Sequence, residues 1–262
     1  MFELKERDGL ARICELTTRH GKVLTPVLLP VVNPNLMIIT PREMQERFGV
    51  KMLITNSYII RNSVALREAA EKSGLHSLLN FDGSIMTDSG TFQSYVYGDV
   101  KVEHSDIVRF QVTIGSDIGT ILDVFSEPEF TKEQTEHAVN ETVSRAKDSV
   151  GLKGDMLLAG TVQGGVYPDL RERCAKELSG LDLDLHPIGG VVPLLESYRF
   201  ADVTEVIIAS KRGLNPSRPV HLFGAGHPMV FPLAVLLGCD MFDSASYAKY
   251  AREDRLMYPT GT

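Results

Sequence analysis

The stretch Ile85-Met-Thr-Asp-Ser-Gly90 contains the pattern that decides the fold prediction. It is a short apolar run that ends in an acidic residue, a hydroxyl residue and a glycine. Such a run is typical of a buried strand in a parallel sheet, and the polar residues that follow are typical of the loop before the next helix. Each repetition of the pattern therefore predicts one strand–loop–helix unit.

Seven further apolar runs have the same form on either side of this stretch. Pro30 interrupts the first of them, which is unusual inside a central strand because proline cannot donate to the hydrogen-bond ladder. The eight predicted strands cover residues 27–32, 52–55, 85–87, 119–124, 156–162, 186–188, 220–223 and 240–242.

Helical patterns separate these strands. Thr40 with Glu43 and Thr131 with Gln134 have the spacing of capping boxes, and Pro232 is expected to kink the first turns of its helix. Residues 1–24 are predicted to form an N-terminal hairpin or cap. The predicted helices start near residue 41 and then cover 61–73, 105–114, 131–150, 168–178, 198–212, 228–237 and 246–256.

Strands that alternate with helices form a parallel sheet with right-handed crossovers. Eight such units in about 230 residues match the size of a closed barrel. We therefore predict a (β/α)8 TIM barrel, a single domain over residues 1–262. The alternative is a doubly wound open sheet, but its GxGxxG fingerprint is missing after the first strand, and the partial match Gly224-Ala-Gly226 lies at the seventh.

The composition favours a globular protein of the cytoplasm. With 27 basic and 34 acidic residues the net charge is −7, which argues against a protein that holds nucleic acid mainly by bulk positive charge. The three cysteines form no CxxC pair, which fits a reducing compartment. No apolar run approaches the ~18 residues of a membrane span and no signal segment is visible, so we expect no membrane partner.

Acidic residues lie at the ends of three of the predicted strands. Because the carboxyl ends of barrel strands carry the reactive groups, Asp88, Asp123 and Asp243 are expected to meet at one crowded rim. Carboxylates in such a place need a partner, a metal or a cationic substrate centre. Structural roles stay open: Asp88 could cap the turn that follows it, and Asp243 could cap the helix that starts near Ser246. No histidine follows a rim strand, which disfavours a metal site.

Two carboxylates beside an aromatic ring suit a reaction that passes through an oxocarbenium-like centre. One carboxylate acts as nucleophile, and the other exchanges a proton with the leaving group. Gln163, Asp123 and the backbone of residues 189–192 could read the edge of a flat heterocycle while Phe92 stacks on its face. The alternative roles are structural, because Gln163 could satisfy loop backbone groups and Phe92 could belong to the core.

Several segments, in the same order along the chain, resemble the tRNA-guanine transglycosylases. The family's motifs are matched by Thr87-Asp-Ser-Gly-Thr-Phe-Gln93, Gly160-Thr-Val-Gln-Gly-Gly-Val-Tyr167, Ile188-Gly-Gly-Val-Val-Pro193 and Gly238-Cys-Asp-Met-Phe-Asp-Ser244. The archaeal branch in particular is matched by Ser94-Tyr-Val-Tyr-Gly-Asp-Val100, Gly115-Ser-Asp-Ile-Gly119 and Arg218-Pro-Val-His-Leu-Phe-Gly-Ala-Gly-His-Pro228.

This resemblance implies a pentosyltransferase that modifies tRNA. The archaeal enzymes exchange guanine at position 15 of the D arm for 7-cyano-7-deazaguanine, the first committed step toward archaeosine. Asp243 would be the nucleophile that attacks C1′, and Asp88 would protonate the departing guanine and deprotonate the incoming base. The exchange would be a double displacement with retention, through a covalent ribosyl–enzyme intermediate.

The resemblance also implies how the base is held. Phe92 would stack on it, and its edge would be bound by Ser89, Asp123, Gln163 and the backbone at Gly190, Val191 and Val192. The run Gly189-Gly-Val-Val-Pro193 looks archaeal. The bacterial enzymes have Gly-Leu-Ala-Val-Gly-Glu there and use an aminomethyl base, which is kept as the alternative substrate.

Basic residues follow the expected nucleophile. Lys249 and Arg252 lie near one face of the last predicted helix and could contact tRNA phosphates. The alternative is a solvated helix face on which they pair with Glu253 and Asp254.

The chain departs from the resemblance in one respect. Relatives have a structural zinc on a cysteine-rich motif, but no CxCxxC is present here, so we expect no cofactor within the chain and zinc ligands only beyond residue 262. The expected protein partners are a second copy of the chain in a homodimer or a separate C-terminal, tRNA-binding subunit. Two other functions stay open: a non-catalytic or split-enzyme subunit, and a glycosidase or nucleoside hydrolase that acts on small substrates.

Overall fold

The chain begins with a three-stranded antiparallel sheet and continues as eight parallel strands separated by helices. The computed structural model describes residues 1–91 and 102–261. The antiparallel strands are β1 (Phe2–Asp8), β2 (Ala11–Thr18) and β3 (Gly21–Thr25). The parallel strands are β4 (Val27–Val32), β5 (Met52–Asn56), β6 (Ser84–Asp88), β7 (Ile118–Thr120), β8 (Leu157–Ala159), β9 (His186–Ile188), β10 (Val220–Leu222) and β11 (Met241–Ser244).

The parallel strands form a nearly closed barrel. Their hydrogen-bonded order is β8-β7-β6-β5-β4-β11-β10-β9, and parallel bridges from Ala159 to Leu185 and from Val162 to Ile188 join the two ends. The predicted (β/α)8 barrel is therefore confirmed. Pro30 is accommodated because β4 pairs with β11 as far as Pro30 and with β5 only from Val31 onward.

The helices between the strands agree with the sequence patterns in most places. Both predicted capping boxes are present, at Thr40 and at Thr131. The helices are α1 (Pro41–Phe48), α2 (Ser57–Asn62), α3 (Val64–Ser73), α4 (Leu75–Leu79), α5 (His104–Thr113), α6 (Lys132–Val150), α7 (Pro168–Ser179), α8 (Val192–Glu196), α9 (Phe200–Gly213), α10 (Phe231–Leu236) and α11 (Ser246–Arg252).

Two predictions about local structure were wrong. Pro232 does not kink α10, because the helix begins at Phe231 and a proline in the first turn has no hydrogen bond to lose. Strands β7 and β8 are also shorter than the apolar runs at 119–124 and 156–162. The runs continue past the strands because the loops that follow remain buried: Leu122 and Val162 both belong to the main core cluster.

The three-stranded N-terminal sheet lies at the amino-terminal end of the barrel and covers it. Leu16 and Val23 pack against the apolar side chains of one core cluster, which includes Leu29, Met86 and Met241 from barrel strands. Burial of these side chains excludes water from that end of the barrel. That residues 1–262 form a single domain stays a prediction.

Ionic contacts fix this sheet to the starts of the barrel strands. Arg12 donates to both carboxylate oxygens of the fully buried Asp240, at 2.8 and 2.7 Å. Asp117 has one carboxylate oxygen 2.8 Å from Nδ1 of His20, in the turn between β2 and β3, and its other oxygen is 3.1 Å from Nε2 of His76, on helix α4. Bidentate and charge-assisted contacts of this kind are the stronger class of hydrogen bond, so the sheet is held firmly in place.

None of the helices within the described residues combines the length and the apolar character needed to cross a bilayer.

Candidate active site

A cavity of about 710 Å³ opens at the carboxyl-terminal end of the barrel strands. It is the place where βα loops meet, as expected for a barrel of this class. The structure brings together there most of the residues selected from the sequence: Asp88, Ser89, Asp123, Gln163, Gly190, Val192, Asp243 and Lys249 all line the cavity.

Asp88 ends β6 and is held by the neighbouring strand and by its own loop. Its Oδ1 accepts hydrogen bonds from Asn56 Nδ2 at 2.5 Å and from the Gly90 backbone N–H at 2.8 Å, the latter being the turn cap considered above. Burial raises the pKa of Asp88 to about 7 against these two hydrogen bonds, with smaller contributions from the charges of Asp243 and Asp123. Near pH 7 the group therefore exists in both forms, as a general acid and base requires.

Asp243 lies inside β11, whereas the sequence pattern ended the strand one residue earlier. Its Oδ1 accepts hydrogen bonds from His221 Nε2 and from the Gly224 backbone N–H, both at 2.9 Å. Among the described residues no hydrogen bond reaches Oδ2, and the side chain is 13% exposed. The alternative role as a helix cap is wrong, because the N–H of Ser246 donates to Ser244 Oγ instead.

A buried polar network lies beside these carboxylates. Asp123 Oδ2 accepts a hydrogen bond from Gln163 Nε2 at 2.6 Å, and Asp123 Oδ1 accepts one from Thr91 Oγ1 at 2.8 Å. Gln163 Oε1 accepts from the backbone N–H of Ser126 at 3.2 Å, so part of its side chain does satisfy loop backbone. Burial raises the pKa of Asp123, and the hydrogen bonds from Gln163 and Thr91 oppose that shift because they stabilise the carboxylate.

The loop after β9 closes one side of the cavity. Gly190 has a φ of 71°, and a Cβ there would lie 3.0 Å from the Ser126 carbonyl oxygen and 3.1 Å from Gln163 Oε1. Only glycine adopts this positive φ without strain and leaves room for the two neighbouring oxygens. Val192 begins α8 and lines the cavity, whereas the side chain of Val191 is fully buried in the core, so that only its backbone is available.

Two of the selected residues, Phe92 and Arg252, are not among the described residues that line the cavity, and a third, Ser89, lines the cavity with its hydroxyl already engaged. Phe92 lies outside the described residues, as does the stretch at 94–100. Ser89 lines the cavity, but its Oγ already donates to the Ile121 carbonyl oxygen at 2.8 Å. Arg252 is exposed at the end of α11 and does not line the cavity, although Lys249 on the same helix does.

Arg171 is a functional candidate that the sequence reasoning missed. Its guanidinium is fully buried and donates to three carbonyl oxygens: Gly165 at 2.9 Å, Val162 at 3.0 Å and Gly189 at 2.8 Å. Those carbonyls belong to the two loops that carry Gln163 and Gly190. Burial lowers the pKa of Arg171 to about 10, which still leaves it charged at neutral pH. In the sequence it is one basic residue of an ordinary amphipathic helix.

His221 was also missed, for a different reason. It is fully buried in the middle of β10, where a lone histidine between apolar neighbours gives no signal of function. Its contact with Asp243 joins two adjacent strands and is visible only once β10 and β11 are paired, with His221 opposite Met241.

Potential metal ligands lie at the other end of the barrel. Among the described residues, His20, His76 and Asp117 offer ligand atoms within 4.8 Å of one another. His76 Nε2 is also 3.1 Å from the Gly83 carbonyl oxygen, which indicates that this nitrogen carries a proton and acts as a donor. Cys14, Cys174 and Cys239 are buried, unpaired and in separate parts of the chain, and they do not fit a zinc site.

Comparisons with known proteins agree with the motifs in the cavity. The family model of queuine tRNA-ribosyltransferase, TGT, matches residues 7–262. A tRNA-guanine(15) transglycosylase of Thermoplasma acidophilum is 55% identical over 261 residues, which cover 100% of this chain and 41% of the relative.

Two further relatives with the same name give a similar result. The protein of Methanopyrus kandleri is 53% identical over 261 residues, covering 100% of this chain and 57% of the relative. The protein of Thermococcus kodakarensis is 52% identical over the same length and is covered to 45%. The chain thus spans roughly half or less of the length of the curated relatives it matches.

Proposed function

The chain belongs to the queuine tRNA-ribosyltransferase family, and from that premise we propose that it is the catalytic barrel of a tRNA-guanine transglycosylase. The proposed reaction exchanges guanine at position 15 of the tRNA D arm for 7-cyano-7-deazaguanine, as in archaeosine synthesis. The observation that supports it best is the pairing of two unlike carboxyl groups in one cavity. Asp88 titrates near neutral pH, and Asp243 is held by two N–H donors.

In the first half of the reaction Asp243 attacks C1′ of the flipped-out nucleotide. A carboxylate oxygen forms the new C1′–O bond, and the electron pair of the N-glycosidic bond leaves with guanine. Asp88 donates its proton to the departing base, so that guanine leaves as a neutral molecule. The product of this half is a covalent ribosyl–aspartate.

The second half of the reaction reverses the first: the proton returns to Asp88, and a new N-glycosidic bond replaces the bond to Asp243. Asp88, now a carboxylate, removes a proton from the incoming base, whose nitrogen then attacks C1′ and releases Asp243. Two inversions give net retention, as in retaining glycosidases. A pKa near 7 suits Asp88 for both halves, because the proton is given and taken at similar cost.

The polar network beside the carboxylates is proposed to bind the base. Gln163 and Asp123 supply an amide and a carboxyl group, and Ser89 supplies a hydroxyl. The backbone groups of Gly190, Val191 and Val192 would complete the edge contacts, with Phe92 stacked on the base. This assignment requires Asp123 to leave at least one of its present partners or to share it with the base.

Binding of tRNA is proposed to involve Lys249 at the cavity and Arg252 on the same helix. Both are cations on α11, and phosphate contacts of this kind position a nucleic acid without reading its sequence. We further propose that the protein acts in the cytoplasm, where tRNA is modified. A homodimer or a separate tRNA-binding subunit, and zinc ligands beyond residue 262, remain predictions.

The test is incorporation of a labelled base. The chain is incubated with unmodified tRNA and radiolabelled guanine or 7-cyano-7-deazaguanine, beside Asp243→Ala as the matched control. We expect label in tRNA with the intact chain and none with Asp243→Ala. No label with the intact chain would overturn the proposal in favour of a subunit without its own activity. Release of free ribose from nucleosides would indicate a hydrolase, and preference for an aminomethyl base a bacterial-type substrate.

A further inference from the structure

We propose that His221 is a positioning residue, which holds the Asp243 carboxylate in one orientation and leaves Oδ2 as the atom that attacks C1′. The inference rests on the proposed function, because it assigns an atom to a step of that reaction. The contact between His221 and Asp243 is inaccessible to solvent on one side, because the exposed fraction of the His221 side chain is 0%.

Two N–H donors, one from a side chain and one from the backbone, point at the same oxygen of Asp243. His221 Nε2, on β10, and the Gly224 backbone N–H, just after that strand, are both 2.9 Å from Asp243 Oδ1. His221 lies in the ladder between β10 and β11, opposite Met241, and Gly224 follows two residues after the end of β10, so the sheet places both donors beside Asp243. The carboxylate is therefore oriented before any substrate binds, which lowers the entropy cost of reaching the reactive geometry.

The protonation state of His221 follows from its other nitrogen. Nδ1 is buried and has no hydrogen-bond partner among the described residues. A proton on Nδ1 would leave a buried N–H without an acceptor, which costs free energy, whereas a bare Nδ1 lone pair costs less. The contact with Asp243 therefore corresponds to the neutral tautomer with its proton on Nε2. The ring of Phe223 packs edge-on at 4.7 Å between centroids and restricts rotation of the imidazole.

The same contacts distinguish the two carboxylate oxygens. Oδ1 has both of its strong acceptor directions occupied by N–H donors, which withdraw electron density from it. Within the described residues Oδ2 receives no such bond, and Asp243 lines the cavity. In the reaction the Oδ2 lone pair forms the bond to C1′, the C1′–N bond breaks toward guanine, and the proton on guanine comes from Asp88.

Two substitutions separate a positioning role from simple packing. His221→Gln keeps a side-chain N–H at about the reach of Nε2, whereas His221→Leu fills similar space without a donor. His186→Gln is the matched control, because His186 is an equally buried histidine in the adjacent strand β9 that does not line the cavity.

The first readout is the rate at which labelled tRNA becomes covalently attached to the chain, followed by rapid quench and denaturing gel at saturating tRNA. We expect His221→Leu to lower this rate by about 10- to 100-fold with little change in tRNA affinity, as for loss of one orienting contact. His221→Gln should recover most of the rate, and His186→Gln should match the parent chain. Parent-like attachment in His221→Leu would overturn the inference.

The second readout does not depend on activity. Nitrogen-15 NMR of histidine side chains distinguishes the two neutral tautomers and the charged form. We expect the Nε2–H tautomer for His221 at pH 7.5, and a changed signal in Asp243→Ala. A proton on Nδ1 in the parent chain would overturn the inference. If the parent chain never attaches to tRNA but the tautomer is as expected, the proposed function fails while the assigned contact stands.

Discussion

Asp88 and Asp243 line the same cavity from β6 and β11, two strands that are separated in the barrel by β5 and β4. Burial is the main cause of the raised pKa of Asp88, about 7, and the charge of Asp243 adds to it. The two carboxyl groups are thus electrostatically coupled across the mouth of the barrel. Burial therefore sets the raised pKa of Asp88, and the nearby charge of Asp243 adds a smaller contribution in the same direction.

Release of guanine is expected to slow as the pH rises above about 7. A raised pKa keeps the proton on Asp88 below that value, and the first half of the reaction needs this proton. In a single-turnover experiment the release rate should fall by about tenfold per pH unit above the pKa, as expected for loss of one required proton. Asp88→Asn should be slower by about 100-fold or more and should not show this dependence. A release rate in the parent chain that does not change between pH 6 and 9 would contradict the role of Asp88.

Asp88→Asn is also expected to stabilise the fold, and to do so more at high pH. The native pKa of about 7 lies above the ordinary value of 3.8, so between those values the folded state binds the proton that the unfolded state has lost. Stability of the parent chain therefore falls as the pH rises from about 4 to about 7, by up to about 1.4 kcal/mol per pH unit from this group.

The asparagine has no charge to bury and keeps an oxygen for Asn56 and Gly90. The advantage of the variant in the free energy of unfolding should therefore be larger at pH 8 than at pH 5. Urea unfolding at both values measures it. An advantage that is equal at the two pH values would show that the ionised form of Asp88 is not disfavoured in the fold.

Arg171→Lys is expected to weaken base binding and to lower stability by about 2–4 kcal/mol. An ammonium group cannot span three carbonyl oxygens in two loops, and its burial without a full set of acceptors is costly. Arg173→Lys is the control, because Arg173 lies on the same helix with surface contacts to Glu136 and Asn140. Calorimetric titration with guanine and thermal unfolding are the measurements. Equal base affinity in the two variants would mean that Arg171 stabilises α7 alone.

The cysteines are expected to be unreactive in the folded chain. Cys14, Cys174 and Cys239 are buried, and burial raises the pKa of Cys174 and of Cys239 to about 12, so the reactive thiolate is scarce. A chromogenic disulfide reagent at pH 8 should react with no thiol in the native chain and with three in 6 M guanidinium chloride. Rapid native reaction of one thiol would locate an opening in the fold.

The rim of the barrel was predictable because its signal is local. An apolar run followed by Asp88, or a run that ends near Asp243, predicts a strand end, and the barrel topology then requires such ends to converge. Residues whose role depends on how loops or neighbouring strands fold around them gave no such signal. His221 looks like a strand residue until β11 is beside it, and Arg171 looks like a solvated helix residue until the loops cover it.

Strand lengths were less predictable for a related reason. The runs at 119–124 and 156–162 are apolar because they are buried, and burial extends beyond the last ladder hydrogen bond into loops that pack under the cavity. Hydrophobicity therefore indicated where the chain is covered, not where the sheet ends. Asp123 and Gln163 lie in these covered loops, where the cost of leaving polar groups unpaired explains their mutual hydrogen bond.

The sheet formed by β1, β2 and β3 blocks the amino-terminal end of the barrel with Leu16 and Val23, and Arg12 fastens it to Asp240. Within the described part of the chain, a molecule in the cavity therefore meets a closed floor and has a single route to solvent, the mouth at the carboxyl-terminal ends of the strands. In the proposed exchange both bases would use that mouth, so the first base would have to leave before the second could enter. The geometry of the barrel thus favours a sequential exchange in addition to the chemistry of the two carboxyl groups.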